Sequence, residues 1–409
     1  MPTPCRFCAA PLEVVFADLG MSPIANDYLT AEEANGMEPF YPLRALVCGR
    51  CFLVQLQDVS SADALFADDY AYFSSYSTSW LAHCERYVET MTARLGLGST
   101  SLVVEIASND GYLLQYFLAR DVPVLGIEPA ASVAQAAELK GIRTVQRFFG
   151  LETACDLVGE AAADLLLGNN VLAHVPDIND FVGGMQVLLK PSGVVTMEFP
   201  HLLRQLQENQ WDTIYHEHFS YLSFLTVQQV FAAHGLRLFD VEELSTHGGS
   251  LRIFGCHEAD ASKPSSGRVA ELIAREEAAG LADLATYRVY GECVAAEKRE
   301  ILEFLIALKR EGRRIVGYGA PAKGNTLLNY CGLGTDFIEY TCDLSPHKQG
   351  HFLPGTHIPI VSPDRLLEDK PDVVFILPWN LKDEIIEQLD YVREWGGQFV
   401  ARTPNIQLL

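Results

Sequence analysis

SLVVEIASNDGYLL, residues 101–114, is an apolar run ending in a carboxylate and alanine, then a polar turn with one glycine, then a second apolar run. Short buried strands read as continuous apolar stretches, and a strand passing through a polar turn into a helical pattern is a βα unit. Working outward, PVLGIEP (123–129), SVAQAAELKG (132–141), ADLLLGN (163–169) and SGVVTMEF (192–199) continue the alternation. Alternation of this kind builds a parallel sheet in an α/β, Rossmann-like domain. Glu105 lies in the first strand, Ser108, Asn109, Asp110 and Gly111 form its turn, and Glu128 ends the next strand. An acidic residue about 20 residues past the turn is placed to bond a ribose hydroxyl, so an adenosine ligand is expected. The turn lacks G-x-G-x-x-G, so no pyrophosphate cradle is expected there. An ordinary turn with a chance acidic residue downstream is the plainer alternative.

Ahead of this domain, Cys5, Cys8, Cys48 and Cys51 form two C-x-x-C knuckles. Such spacing brings four thiolates to a closed, structural Zn²⁺ that supplies folding energy to a short module. Two redox pairs are the rival. Beyond the polar, breaker-rich EADASKPSSGR (258–268) come helical patterns from about 269 to 310, then a second βα alternation through RRIVGYG, FIEYTCDLS and DVVFILP. The expected organisation is a zinc-binding module at 1–65, a first Rossmann-like domain at 66–262, and a helical connector with a second Rossmann-like domain at 263–409. Thr226 is the expected cap of the helix VQQVFAAHG.

The 409 residues carry 53 acidic and 30 basic side chains, a net charge of −23, which repels a phosphate backbone and argues against nucleic acid as a partner. No apolar run approaches a membrane span, and the six remaining cysteines are scattered singly rather than framed as disulfides. A soluble, cytoplasmic monomer is expected.

YHEHFSY, residues 215–221, follows the strand VVTMEF and therefore lies above the carboxyl ends of the sheet, where ligands of open α/β folds sit. Read as a strand, it would put His216 and His218 on one face, but no third metal ligand is evident; a merely structural histidine pair is the other plain reading. Asn170 and His174 in NNVLAHVPD leave a strand towards the same crevice, to meet a ligand or to cap the next helix. His247 or Arg252 in STHGGSLR, and the run Tyr70 to Trp80, are further candidates for that crevice. In VGYGAPAKGN, Gly317, Gly319 and Ala322 stand in G-x-G-x-x-A register with Asp343 downstream, a weak dinucleotide signature. Lys323 follows it at a helix start, suited to a diphosphate or simply solvated.

Together the zinc knuckles, EIASNDGYLL, YHEHFSYLS, THGGSLR and GYGAPAKGN resemble the S-adenosylmethionine-dependent sugar-nucleotide C-methyltransferases of antibiotic deoxysugar pathways, over essentially the full chain. The nearest resemblance is to 3-C-methyltransferases acting on TDP-linked 3-amino-4-keto sugars of the D-tetronitrose type. It implies a class I methyltransferase domain binding S-adenosylmethionine through Glu105, Ser108, Asn109, Asp110, Gly111 and Glu128. It implies His218 as general base with Tyr215 and Glu217 beside it, sugar contacts from Asn170 and His174, and Lys323 on the TDP diphosphate. The chemistry so implied is removal of a proton beside a ketone and attack of the resulting enolate on the sulfonium methyl, the substrate being a TDP-linked keto-deoxysugar. An NAD-dependent nucleotide-sugar oxidoreductase, a non-enzymic nucleotide-sugar binding module, and an O- or N-methyltransferase are the alternatives.

Overall fold

The structure is a computed structural model describing residues 3–57, 59, 73–403 and 405–409. Tyr70, Ala71 and Tyr72 of the aromatic run, and the expected boundary near residue 65, lie outside the described residues.

Among the described residues the strands are β1 Val14–Ser22, β2 Tyr41–Val47, β3 Val54–Leu56, β4 Val103–Ile106, β5 Val124–Ile127, β6 Thr144–Val145, β7 Ala163–Asn169, β8 Leu189–Pro200, β9 Ser220–Tyr221, β10 Leu236–Leu244 and β11 Ser250–His257. Those of the last part are β12 Ile315–Tyr318, β13 Thr341–Cys342, β14 Ile360–Val361, β15 Val373–Ile376, β16 Gln398–Ala401 and β17 Gln407–Leu408. They form three sheets.

The central, seven-stranded sheet has the order β10-β11-β8-β7-β4-β5-β6. All pairs are parallel except those of β11, which runs antiparallel to both β8 and β10. This is the class I methyltransferase sheet, with one reversed strand near the edge. The chain proceeds from β4 to β5 and β6 on one side and from β7 to β8 on the other, so the switch point lies between β4 and β7. SLVVEIA supplies β4, whose four residues are all buried.

The helix Thr78–Leu95 packs on this sheet. Cys84, Tyr87, Val88 and Met91, spaced three and four apart, form its buried stripe. Ser77 Oγ accepts from Trp80 N at its start, and Gly96, at φ 62°, ends it. Each fully buried side chain of that stripe contributes about 1.5–3 kcal/mol, and the stripe directs Trp80 and His83 towards the carboxyl ends of the strands. The helix Phe224–Ala233 is capped by Ser223, whose Oγ accepts from Thr226 N, so Thr226 stands inside the first turn and is not the cap.

The last sheet, β14-β13-β12-β15-β16-β17, is parallel except for β17. The helices Gly267–Ala278, Leu284–Arg288 and Tyr290–Arg310 connect it to the central sheet. The amino-terminal sheet, β1-β2-β3, takes its fourth strand, β9, from beyond the YHEH cluster. No helix among the described residues is long and apolar enough to cross a membrane.

Candidate active site

The turn after β4 is built with backbone strain. Ala107 and Asn109 adopt positive φ (56° and 49°), as do Asn170 after β7 (54°) and His247 before β11 (54°). Left-handed conformations at residues other than glycine cost about 1–3 kcal/mol and persist where the surroundings impose them. All four occur where strands of the central sheet end or begin, around one crevice. Gly111, at φ 74°, meets the turn's need for left-handed backbone, and a Cβ there would stand 2.4 Å from Ile142 Cδ1. Its missing side chain therefore serves packing against Ile142.

Glu105 is completely buried with the Tyr112 hydroxyl as its one polar neighbour of opposite character among the described residues, and no cation reaches its carboxylate oxygens. Burial, reinforced by the carboxylates of Glu128, Asp110 and Glu198, pushes its pKa well above the ordinary range. Ser108 Oγ, Asp110 Oδ1 and Asn169 Nδ2 are buried without partners. A buried carboxylate left unmatched costs several kcal/mol, so this arrangement calls for a cationic ligand; the α-ammonium and sulfonium of S-adenosylmethionine fit. Glu128 accepts from Asn109 N at 2.9 Å and from Ala130 N at 3.0 Å, which holds the turn against the end of β5.

Beside this turn, Trp80 stacks on His83 and Tyr112 and meets His247 edge-on at 5.2 Å between centroids. Asn170 Nδ2 lies 2.7 Å from His247 Nε2, which accepts the bond, since an amide nitrogen only donates. Asn170 caps no helix; Asp177 caps the helix Ile178–Leu188. Arg252 is buried beside this group. Its guanidinium is spent on Glu198 and Glu242, and Glu198 also holds His83 Nε2 at 3.0 Å.

YHEH is a turn, not a strand, and it sends its side chains in different directions. His216 Nε2 lies 3.2 Å from Pro42 O in the amino-terminal sheet, away from His218. Among the described residues the only cluster with metal-ligand geometry is the four cysteines, so the two histidines form no metal site. Glu217 accepts from Asn26 Nδ2 at 3.0 Å, and burial lifts its pKa to about 7.

His218 Nδ1 lies 2.9 Å from Thr213 O. A carbonyl only accepts, so Nδ1 carries the proton and Nε2 presents its lone pair to Tyr215 OH at 2.7 Å. The rings of His174 and His218 stand 4.6 Å apart. Burial, and then the neighbouring His174, push the His218 pKa well below 6.5. A neutral imidazole with a defined tautomer results. Lys323, at the start of the helix Ala322–Cys331, bonds Asn380 Oδ1 at 2.7 Å and lies 4.6 Å over the Trp379 ring; burial lowers its pKa to about 8.

In the remainder of VGYGAPAKGN the backbone is packed closely against the loop after β15. A Cβ on Gly319 would meet Pro378 Cδ at 2.5 Å, so the glycine is required by packing. Asp343, the residue that would hold a ribose, accepts from Ala320 N at 2.7 Å and Ser345 N at 2.8 Å.

Thr213 and Asn26 escaped sequence analysis as site residues, whereas Trp80 stood in the aromatic run named for the crevice. Thr213 acts through a carbonyl, which no residue type announces. Asn26 arrives from the amino-terminal module across 191 positions. The pattern SPIANDYL, polar and breaker-rich between strands, is the sole local signal for that segment.

Cys5, Cys8, Cys48 and Cys51 bring their sulfurs within 4.8 Å of one another, with pairs at 3.5 and 3.6 Å. Four Zn–S bonds of about 2.3 Å give tetrahedral edges near 3.8 Å, so these thiols fit a structural zinc.

Comparison with known proteins agrees with this construction. Residues 5–66 match a family described as a zinc binding domain, residues 80–241 a methyltransferase domain, and residues 245–404 a C-methyltransferase C-terminal domain. C-methyltransferase NovU of Streptomyces niveus is 36% identical over 406 residues, 99% of this chain and 96% of that protein. Among solved structures, the Burkholderia thailandensis 1,6-didemethyltoxoflavin-N1-methyltransferase is 17% identical, covering 50% of this chain and 94% of that one at a TM-score of 0.37. A methyltransferase from Clostridium acetobutylicum is 9% identical, covering 43% and 92% at a TM-score of 0.36. The sheet order, the unmatched Glu105 and the full-length identity agree: the chain belongs to the C-methyltransferase family and is an S-adenosylmethionine-dependent enzyme.

Proposed function

We propose that the enzyme moves the methyl group of S-adenosylmethionine to the carbon beside the keto group of a TDP-linked 4-keto-deoxysugar, namely C3 of a 3-amino-4-keto-2,3,6-trideoxyhexose, within cytoplasmic antibiotic deoxysugar biosynthesis. The observation that carries this reading is the Thr213–His218–Tyr215 arrangement. Carbon methylation requires a carbanion equivalent, and a neutral, oriented imidazole beside a phenol suits enolisation. The name of the Streptomyces niveus relative supports carbon as the acceptor.

In this mechanism the sugar enters the crevice, and the Tyr215 hydroxyl turns from His218 Nε2 to the C4 keto oxygen. Nε2 removes the C3 proton, and the C3–H electron pair becomes an enolate whose oxygen Tyr215 supports. C3 then attacks the sulfonium methyl, forming C–CH₃ as the S–CH₃ bond breaks and S-adenosylhomocysteine leaves. Glu105, Ser108, Asn109, Asp110, Gly111 and Glu128 hold the methyl donor, Glu105 on the α-ammonium and Glu128 on the ribose. Asn170 and His174 orient the sugar, Glu217 borders it, and Lys323 holds the diphosphate. The units of this reading are the zinc-binding module at 1–65, the methyl-donor domain at 66–262, and the connector with the second Rossmann-like domain at 263–409. Holding both reactants in near-attack geometry is the largest service the crevice offers.

Both C3 and C5 lie beside a C4 ketone, so position is the deciding observable. The TDP-3-amino-4-keto sugar, incubated with methyl-labelled S-adenosylmethionine and the enzyme, is fragmented by mass spectrometry. A methyl on C3 is expected; a methyl on C5, nitrogen or oxygen, or none, overturns the assignment.

A further inference from the structure

The two knuckles are wired to the two histidines. Arg6 sits between Cys5 and Cys8. Its guanidinium donates to Pro176 O at 2.7 Å and Leu56 O at 2.9 Å, and its Cζ lies 5.3 Å from the centroid of Phe219. Pro176 follows His174 by two residues, and Phe219 follows His218 directly. Asn179 Nδ2 in turn donates to the carbonyls of Arg6 and Phe7, fastening the knuckle to the helix that begins beyond His174.

The second knuckle reaches the same place through strand pairing. Buried Gln55, on β3, donates to Cys5 Sγ at 3.2 Å and accepts from Arg6 N at 2.9 Å. Gln55 pairs with Ser220 and Val54 with Tyr221, while Leu56 N donates to Phe219 O at 3.1 Å. Thr226 Oγ1 donates to Cys51 O at 3.2 Å. The backbone leaving His218 is therefore zipped to a strand that starts three residues after a metal ligand.

We infer that Arg6 and Gln55 are positioning residues that carry the geometry of the four-thiolate centre to His174 and His218, so that this centre sets the base as well as folding its own module. A module needed only for its own folding would gain nothing from lending a strand edge to residues 219–221. The inference rests on the proposed role of His218.

The test uses full-length, zinc-loaded Arg6→Met and Gln55→Leu, with zinc content, S-adenosylmethionine affinity, kcat, KM and amide hydrogen exchange measured on each. Residues that orient metal ligands typically cost about 10- to 100-fold when replaced, and a fall of that size is expected in kcat. Zinc content, methyl-donor affinity and sugar KM are expected to hold, with faster exchange across residues 214–222. Arg6→Lys, which keeps one charged donor, should recover part of kcat. Zinc-loaded variants with wild-type kcat and wild-type exchange overturn the inference, as does loss of methyl-donor affinity in step with kcat. Should Arg6→Met fail to fold, Gln55→Leu decides. Persistent turnover by His218→Ala would instead bring down the base assignment, and exchange at 214–222 would still report on the clamp.

Discussion

His218 Nδ1 and the Thr213 carbonyl lie 2.9 Å apart, and this contact decides which nitrogen of the imidazole can act as a base. Thr213 is held in its turn: its Oγ1 donates to Gln210 O at 2.6 Å and accepts from Gln205 Nε2 at 2.7 Å. Next to it, Asp212 is buried against Arg402 at 2.8 Å and Trp379 Nε1 at 2.7 Å. The tautomer of the proposed base is thus set by the junction between the two Rossmann-like sheets.

His218→Ala removes that base. Methyl transfer is expected to fall by about 10²- to 10⁴-fold, the usual worth of a positioned acid–base group. Affinity for S-adenosylmethionine, measured by calorimetry, should be unchanged, because the donor site is built on β4 and β5. Wild-type turnover would remove His218 from the mechanism.

Tyr215→Phe deletes the hydroxyl 2.7 Å from His218 Nε2 and leaves the ring packed at a tilt beside the imidazole, 4.0 Å between centroids. A loss of about tenfold or more in kcat is expected, on the scale of one hydrogen bond to a developing charge. Unchanged kcat with raised KM would reduce Tyr215 to a binding residue.

Glu105→Gln replaces the unmatched buried carboxylate. Hydrogen bonds to charged groups contribute about 1.5–3 kcal/mol, so donor affinity should weaken by about 10- to 100-fold. The ligand-free protein should melt no lower than the wild type, since the raised pKa already leaves Glu105 uncharged there and a neutral amide of the same shape takes its place. A lower melting temperature with intact donor affinity would refute this account of Glu105.

Stability and rate should respond differently to pH. With a folded pKa well below 6.5, His218 stays neutral as pH falls through 6.5, so kcat/KM should remain level there rather than drop. The unfolded chain takes up that proton first, as it does for His174 and His247, whose folded values burial lowers to about 4, so stability should decline as pH falls from about 6.5 towards 4. Glu217 acts in the opposite direction. Its folded value of about 7 exceeds the ordinary 4.5, so its contribution is present below 4.5 and is lost as pH rises to about 7. Denaturant titrations of wild type and Glu217→Gln across that window should differ in slope, the stability of the variant rising more steeply with pH because nothing there offsets the histidines.

The arrangement proposed for the methyl donor could be read because its parts are local: the carboxylate of β4, its turn and the end of β5 fall within SLVVEIASNDGYLLQYFLARDVPVLGIE, and strand periodicity places them on one edge. The four cysteines were legible for the same reason, since thiols at knuckle spacing have few other uses. The acid–base half was legible in residue type but not in direction. YHEH read as a strand would have aligned His216 with His218; as a turn it sends one to Pro42 and the other to Thr213. The glycine pattern after β12 likewise reads as a ligand loop until Pro378 is seen filling its hollow.

From sequence alone came the succession of strands, the thiolate set and the residue types gathered near the crevice, because these follow from short-range periodicity and spacing. Tertiary structure alone decided which nitrogen of His218 is free, that Asn26 rather than His218 holds Glu217, and that the zinc knuckles reach the base through β3 and β9. Those contacts join residues tens to hundreds of positions apart, and their partners are backbone carbonyls and strand edges that carry no mark in the amino-acid code.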